Sequence, residues 1–182
     1  MAMTRMVTAD DLMTMPDDGR RYELIRGELR EVAPAGFGAS HIAIRIGGRI
    51  DAYVDEHGLG EVTGADGGYL FEIAPDTVRA PDVAFTLASR LPPRHALIGY
   101  SAVIPDLVVE VVSPSDARRE VEDKVAYYMG QGVPLVWTVW PKPRTVVAHR
   151  PGREPQTFRE GDVLTAEDLL PGFRLPIEDV FR

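Results

Sequence analysis

The chain contains no cysteine in 182 residues. Disulfide frameworks, thiolate zinc sites and cysteine nucleophiles are therefore excluded. Because nothing in the sequence points to an oxidising compartment, we expect the protein to be cytoplasmic.

A long apolar segment is also missing. No window approaches the 18 or more apolar residues of a membrane span, and the sequence MAMTRMVTADDLM lacks the apolar stretch of a signal peptide. We therefore expect a protein that is neither exported nor embedded in a membrane.

Positive charge is scarce, since 20 Lys and Arg residues face 28 Asp and Glu residues, giving a net charge of -8. Nucleic-acid-binding proteins usually present a basic face, so this balance argues against that class. A cluster of metal-binding carboxylates adds negative charge, however, and a basic patch can exist within an acidic total. Affinity for bare polymer is expected to be modest.

Several catalytic motifs are absent. The chain has no Walker A loop, dinucleotide fingerprint or GxSxG elbow, which removes nucleotide hydrolases and serine hydrolases from consideration. His57, His95 and His149 show no HxH or HExxH spacing, so a histidine-ligated zinc site is not expected.

The composition is that of an ordinary globular protein, with 45% hydrophobic and 26% charged residues. No internal repeat or low-complexity segment divides the chain, and its proline and glycine residues are spread as turn signals. We expect one domain over residues 1–182.

Hydrophobic periodicity and turn signals predict the elements of the first half. They are a short helix capped by Thr8 and ended by Pro16, a hairpin of Tyr22–Leu24 and Leu29–Val32 turning at Arg26–Gly27, a helix from Ser40 to about His57–Gly58, and strands at Gly68–Ile73 and Val83–Phe85.

The second half contains the strongest strand, the apolar run Leu107–Val112. A helix follows the capping sequence Ser113–Asp116 and ends at Gly130 or Gly132, and strands are predicted at Leu135–Trp140 and Thr145–His149. The C-terminal part is interpreted only as a packing appendage. This order predicts an α/β (α+β) fold with a central mixed sheet flanked by helices.

Glu110 is a lone carboxylate inside an apolar strand, and its charge needs compensation, for which a metal ion is suited. Magnesium takes one or two carboxylates and keeps several waters, so a second carboxylate is expected nearby. Asp82 and Asp106 each follow a proline and begin a strand. Asp106 shares the strand of Glu110 and would lie roughly 13 Å away at about 3.3 Å per residue, too far for one ion. Asp82 begins a neighbouring strand and is favoured. The alternatives are an ordinary strand-initiating aspartate for Asp82 and a buried ion pair with an Arg or Lys for Glu110.

Lys124 lies on the helix after the Glu110 strand, beside that helix's apolar side. From there its ammonium can orient water or stabilise the charge developing on a phosphate. The alternative is that it extends into solvent.

Taken together, several segments resemble a restriction-endonuclease family of the PD-(D/E)XK superfamily that is abundant in cyanobacteria and actinobacteria. The segments are YELIRGEL, the helix with His41, RAPDVAF, PDLVVEVVSPSD, DKVAYY and GVPLVWTVWP, and the resemblance runs from about Thr8 to Phe181. It implies a restriction-endonuclease-like αβββαβ core, here with an N-terminal β-hairpin extension, and Asp82 and Glu110 as ligands of Mg²⁺ or Mn²⁺.

The resemblance also carries differences. The general superfamily pattern has a lysine two residues after the glutamate, where this chain has Val112, and Lys124 matches the displaced lysine of the family. Trp140 stands where the family tends to have aspartate before proline. Glu23 and His41 match family positions, and they are included as candidate catalytic residues. The alternatives are an exposed hairpin carboxylate for Glu23 and a structural helix-terminus histidine for His41.

The resulting hypothesis is a metal-dependent nuclease that hydrolyses phosphodiester bonds, with DNA as the expected substrate and a homodimer as a possible assembly. One alternative is a catalytically inactive binding or assembly module of the same fold, which the net charge and Val112 favour. The other is a hydrolase of a smaller phosphodiester. A closed pocket would favour a small substrate and an open cleft a nuclease.

Overall fold

Twelve strands and four α-helices are present in residues 6–182, the part of the chain that the computed structural model describes. The helices are α1 (Ala9–Met13), α2 (Phe37–His57), α3 (Arg118–Gly130) and α4 (Ile177–Val180). The strands are β1 (Arg21–Ile25), β2 (Glu28–Val32), β3 (Gly60–Gly64), β4 (Tyr69–Glu72), β5 (Thr77–Arg79), β6 (Val83–Leu87), β7 (Leu107–Val111), β8 (Leu135–Trp140), β9 (Thr145–His149), β10 (Gln156–Phe158), β11 (Val163–Ala166) and β12 (Leu170–Pro176).

The central sheet has six strands in the order β10-β9-β8-β7-β6-β3. Its pairs are antiparallel except for β7 and β8, which are parallel and are joined through α3. A parallel pair needs such a crossover because its second strand must begin at the same end as the first. The predicted mixed sheet is therefore confirmed.

The two faces of this sheet are covered differently. α2, the β11–β12 ribbon and α4 contribute to a core over one face, against residues that include Phe85, Val109 and Trp137. On the other face, Val108 and Val136 pack with Val125 and Tyr128 of α3. Because side chains alternate between the two faces of a strand, neighbouring residues pack into different hydrophobic cores. The predicted flanking by helices is confirmed.

A second sheet of four strands, in the order β2-β1-β5-β4, contains the N-terminal hairpin. The predicted hairpin forms between β1 and β2, and its turn residues Arg26 and Gly27 both have positive φ. α1 begins as predicted, with Thr8 as its N-cap in a capping box with Asp11.

The predicted start of α2 at Ser40 is wrong. The helix begins at Phe37, and the amide of Ser40 already donates to the carbonyl of Gly36, 3.0 Å away, as an interior helical residue does. Its predicted end is confirmed by Gly58, a left-handed C-cap with φ of 61°.

Close packing of α2 against β6 explains why a glycine is found at position 47 inside the helix. A Cβ at this position would lie 3.2 Å from Cγ2 of Val83, so α2 approaches the start of β6 closely there. A Cβ on Gly48 would meet nothing within 4 Å, and the same reason does not apply to it.

α3 follows Ser113–Asp116 as predicted, but these residues do not cap the helix. Asp116 accepts a hydrogen bond from the amide of Ser113 at 2.8 Å and so stabilises a turn before the helix. The helix begins at Arg118, where Glu120 accepts from the amide of Ala117 at 3.1 Å. Asp116, a residue type common at helix N-caps, therefore stabilises the preceding turn instead of the helix.

Five strands were not predicted, and all are short or irregular: β3, β5, β10, β11 and β12. β10 extends the central sheet, while Leu164, Leu170 and Phe173 of the C-terminal ribbon join its core. The C-terminal part is thus more than a packing appendage, because it completes both a sheet edge and a core.

None of the helices within residues 6–182 combines the length and the apolar character needed to cross a bilayer. The first five residues of MAMTRMVTADDLM, on which the signal-peptide expectation was based, lie outside the described residues.

Candidate active site

Asp82 and Glu110 lie opposite each other across two neighbouring strands. Val83 of β6 pairs with Val109 of β7 in antiparallel register, and continuing that register by one residue sets Asp82 against Glu110. Opposite residues of such a pair have Cα atoms about 4.5–5.5 Å apart. The two carboxylates therefore lie side by side, as expected from the position of Asp82 at the start of the strand next to that of Glu110.

Glu110 is only 12% exposed in its side chain, and each carboxylate oxygen has a donor. The hydroxyl of Tyr128 donates to Oε1 at 2.7 Å, and Nζ of Lys124 donates to Oε2 at 3.1 Å. Burial raises the pKa of Tyr128 well above its usual range, so its hydroxyl stays a donor. These two bonds offset part of the cost of burying the charge.

Asp82 is less well compensated than Glu110. Its Oδ2 accepts a hydrogen bond from the amide of Val111 at 2.7 Å. Burial raises the pKa of Asp82 to about 6, and the nearby charge of Glu110 adds to the rise. The pair thus carries more negative charge than its surroundings neutralise.

Lys124 lies on α3 one turn before Tyr128, so both side chains reach the same carboxylate. Burial lowers the pKa of Lys124, but the charge and hydrogen bond of Glu110 outweigh it, so that the pKa is raised. The ammonium is therefore charged at neutral pH. Its side chain is 43% exposed, but the ammonium donates to Glu110. Lys124 is therefore not the solvent-extended lysine of the alternative interpretation.

Glu23 lies on β1 next to Arg79 of β5. Leu24 pairs with Val78, and the next pair in this register is Glu23 with Arg79. A guanidinium nitrogen of Arg79 lies 3.4 Å from Oε2 of Glu23, with side chains 15% and 17% exposed. Burial raises the pKa of Glu23, and the charge of Arg79 opposes that rise. Glu23 is thus not the exposed hairpin carboxylate of the alternative interpretation.

The electrostatic links join these groups into one cluster. The charges of both Lys124 and Glu110 act on the pKa of Glu23 as well as on that of Asp82. We call Glu23, Arg79, Asp82, Glu110 and Lys124 the carboxylate cluster. A cavity of about 480 Å³ lies beside it, lined by Arg79, Glu110 and Lys124.

His41 lies outside this cluster. Its imidazole is exposed and stacks on Phe37, with ring centroids 6.2 Å apart. Ser40 and Gly47 of the same helix line a second cavity with Asp82, whereas His41 does not. A catalytic role for His41 stays a prediction.

Two members of the arrangement were missed by the sequence reasoning, namely Arg79 and Tyr128. Both lie within segments that carried the family resemblance, RAPDVAF and DKVAYY. The signal for Tyr128 is its position four residues after Lys124 on the helix face. Arg79 is harder to find, because its proximity to Glu23 depends on a strand that was not predicted.

A divalent ion would find two carboxylates here rather than a preformed cage. Among residues 6–182, no group of three or more His, Cys, Asp or Glu side chains is arranged to hold a metal ion. Magnesium, however, is bound in proteins by one or two carboxylates with retained waters. The unrelieved charge of Asp82 beside Glu110 fits such an ion chemically.

Comparison with known proteins agrees with this architecture. A crystal structure from Anabaena variabilis ATCC 29413, described as a "putative nuclease belonging to DUF820", has a TM-score of 0.78 with this chain. It is 21% identical in sequence and covers 96% of this chain and 97% of its own, which shows a shared fold. None of the curated proteins compared with the chain matches it significantly. The model of the Uma2 family, described as "Putative restriction endonuclease", matches residues 9–178, and the chain therefore belongs to the Uma2 family.

Proposed function

We propose that the chain is a metal-dependent endonuclease that hydrolyses phosphodiester bonds of nucleic acid, with DNA as its substrate. The observation that carries this proposal is the placement of Asp82 opposite Glu110, with Lys124 bonded to Glu110. Membership of the Uma2 family supports a nuclease-like function.

In this proposal Asp82 and Glu110 hold Mg²⁺ or Mn²⁺. When bound, such an ion polarises a phosphoryl oxygen and lowers the pKa of a coordinated water. Asp82 must be ionised to serve as a ligand, and its raised pKa of about 6 still leaves it ionised at neutral pH.

The other residues of the carboxylate cluster have supporting roles. The Lys124 ammonium is positioned to orient water or to stabilise negative charge on the phosphate. The Tyr128 hydroxyl fixes the orientation of the Glu110 carboxylate. Glu23 accepts from Arg79 and so positions a guanidinium beside the cavity, where it can contact a phosphate.

His41 is proposed as a secondary participant, because it matches a family position but lies on an exposed helix surface. We further propose that residues 1–182 act as one domain, which the family match over residues 9–178 supports. A homodimer and a cytoplasmic location stay predictions.

Two alternatives each have an observation in their favour. A catalytically inactive binding or assembly module is favoured by the occupation of both Glu110 oxygens by Tyr128 and Lys124. A hydrolase of a small phosphodiester is favoured by the cavity of about 480 Å³ beside the cluster, a volume typical of small-molecule sites.

Cleavage assays separate the three functions. Supercoiled plasmid, single-stranded DNA and an aryl phosphodiester are incubated with Mg²⁺ or Mn²⁺ and with wild type, Asp82→Asn, Glu110→Gln or the exposed control Asp55→Asn. We expect wild type and Asp55→Asn to cleave DNA, and the two cluster variants to lose on the order of 1000-fold in rate. Cleavage of the aryl phosphodiester alone would indicate the small-substrate hydrolase, and no cleavage of any substrate the inactive module.

A further inference from the structure

A larger cavity lies on the same face of the central sheet as Glu110, beyond α3. It has a volume of about 850 Å³ and is bounded by α3 and by the outer strands β8, β9 and β10. Ligand sites typically enclose about 300–1000 Å³. We call it the outer cavity.

The wall of the outer cavity contains two aromatic rings fixed through one hydroxyl. Nε1 of Trp140 donates to Oγ1 of Thr138 at 3.1 Å, and Nε2 of His149 lies 3.0 Å from the same oxygen. Burial lowers the pKa of His149, which favours a neutral ring that accepts the Thr138 proton. The two rings are therefore held in place before any ligand binds.

The outer cavity shares a wall with the smaller cavity beside the carboxylate cluster. Thr138 pairs with Glu110 in the parallel ladder of β7 and β8. Thr138, Val121 and Val125 line both the outer cavity and the smaller cavity beside Glu110. A chain-like ligand with its scissile group at Glu110 would thus need to extend only past this shared wall to reach the outer cavity.

Arginine residues supply local positive charge within an acidic protein. Arg118, Arg144 and Arg159 all line the outer cavity. Arg118 and Arg144 form exposed ion pairs with Glu122 and Glu160, which also line the cavity, so that three arginines against two glutamates leave the lining with a net positive charge of one. The guanidinium of Arg159 has no ion-pair partner in the described part of the chain.

We propose that the outer cavity binds unpaired bases of a nucleic-acid strand whose backbone continues to the carboxylate cluster. This rests on the proposed nuclease function and specifies its substrate as a strand with a single-stranded segment. Aromatic rings that stack on bases, together with cations that contact the backbone, are how proteins bind single strands without reading their sequence. The ordered Trp140 and His149 rings and the three arginines provide both elements.

Binding is measured by anisotropy of a labelled single-stranded DNA 20-mer, with a duplex of the same sequence in parallel. EDTA is present, so that the measurement does not depend on metal or cleavage. Trp140→Leu should weaken single-strand binding roughly tenfold, within the range expected for loss of base stacking, whereas Trp140→Phe should retain most of it. Arg159→Gln should lower the slope of log affinity against log salt by about 0.7.

A second variant guards against misfolding of Trp140→Leu. Ala126 is an exposed α3 residue lining the outer cavity, and Ala126→Glu adds bulk and negative charge there with little cost to the helix. It should weaken single-strand binding at least about tenfold. The matched control is Ala52→Glu at an exposed position of α2, which should change binding less than about threefold, since the added charge is screened.

Two results together would support the outer cavity as the binding site. Trp140→Leu and Ala126→Glu lose the preference for the single strand, and Trp140→Phe and Ala52→Glu keep it. Equal binding by all variants, tighter binding of the duplex, or no binding of the single strand would overturn it. Cleavage of plasmid and of single-stranded DNA by wild type, assayed separately with metal, reports on the nuclease function itself. Failure of the single-strand site and failure of the nuclease function are therefore distinguishable.

Discussion

Asp82 and Asp106 begin neighbouring strands in the same way, each directly after a proline, but their surroundings differ. Asp106 accepts from the amide of Leu87 at 2.9 Å and from the guanidinium of Arg90 at 2.6 Å. Asp82 accepts from one amide and faces the carboxylate of Glu110. The charge of Asp106 is therefore compensated within the fold, whereas that of Asp82 is not.

The difference separates a structural carboxylate from a candidate functional one. A buried charge with two donors, one of them cationic, has its desolvation cost offset, and removal of one partner destabilises the native state. A buried charge beside a like charge destabilises it unless a cation is added. Such uncompensated groups are concentrated at functional sites.

The largest effect on stability is expected from the pH dependence of Asp82. Because its folded-state pKa is raised from 3.8 to about 6, its favourable contribution is complete below pH 4 and is lost as pH rises through 6. Without metal, wild type should lose on the order of 3 kcal/mol relative to Asp82→Asn between pH 4 and pH 8. Urea unfolding of both proteins across this range measures the difference. A difference that does not vary with pH would show that the charge of Asp82 is compensated within the fold.

Lys124→Met should separate metal binding from phosphate chemistry. We expect cleavage to fall about 100-fold, because one cation near the phosphate is lost. Affinity for Mn²⁺ should stay the same or increase, since the ammonium that bonds to Glu110 is removed. Calorimetry and plasmid nicking measure the two quantities, with Lys124→Arg as the charge-conserving control. A parallel loss of metal affinity would contradict this division of roles.

Asp106→Asn should affect stability rather than cleavage. Removing the charge that pairs with Arg90 is expected to cost about 2 kcal/mol of unfolding free energy, while the cleavage rate of the folded protein should be unchanged. A double-mutant cycle with Arg90→Gln attributes the loss to this pair. Loss of cleavage in a fully folded Asp106→Asn variant would remove the distinction between the two aspartates.

The smallest effect is expected from His41→Ala. Its ring stacks on Phe37 on an exposed surface, so we expect cleavage to fall less than about tenfold, whereas loss of a proton-transferring residue costs about 100-fold or more. Initial rates of plasmid nicking decide between the two. A loss of 100-fold would mean that His41 reaches the substrate after a movement of α2.

The parts of the fold that sequence patterns predicted are those with strong periodicity. A signal within the local sequence predicts each of three elements. They are the β-branched run of β7, the helix face of Val121, Val125 and Tyr128, and the hairpin turn at Arg26–Gly27. β3 and β10 do not, because their sequences GEVTG and QTF are short and their positions at the sheet edges depend on neighbours distant in sequence.

The candidate site was predicted in the same uneven way. The choice of Asp82 over Asp106 followed from strand geometry and the distance along β7. The contact of Arg79 with Glu23 depends on the pairing of β1 with β5. The structural role of Asp106 depends on its hydrogen bond from Arg90, which lies across a loop. Neither contact leaves a periodic signal in the sequence, so neither was predicted.

Calorimetric titration of Mn²⁺ tests the central contrast most directly. We predict that wild type and Asp106→Asn bind the ion, and that Asp82→Asn and Glu110→Gln do not, with circular dichroism confirming that all four proteins are folded. If wild type binds no ion, or if Asp106→Asn loses binding as completely as Asp82→Asn, the assignment of Asp82 and Glu110 as the metal-holding pair is contradicted.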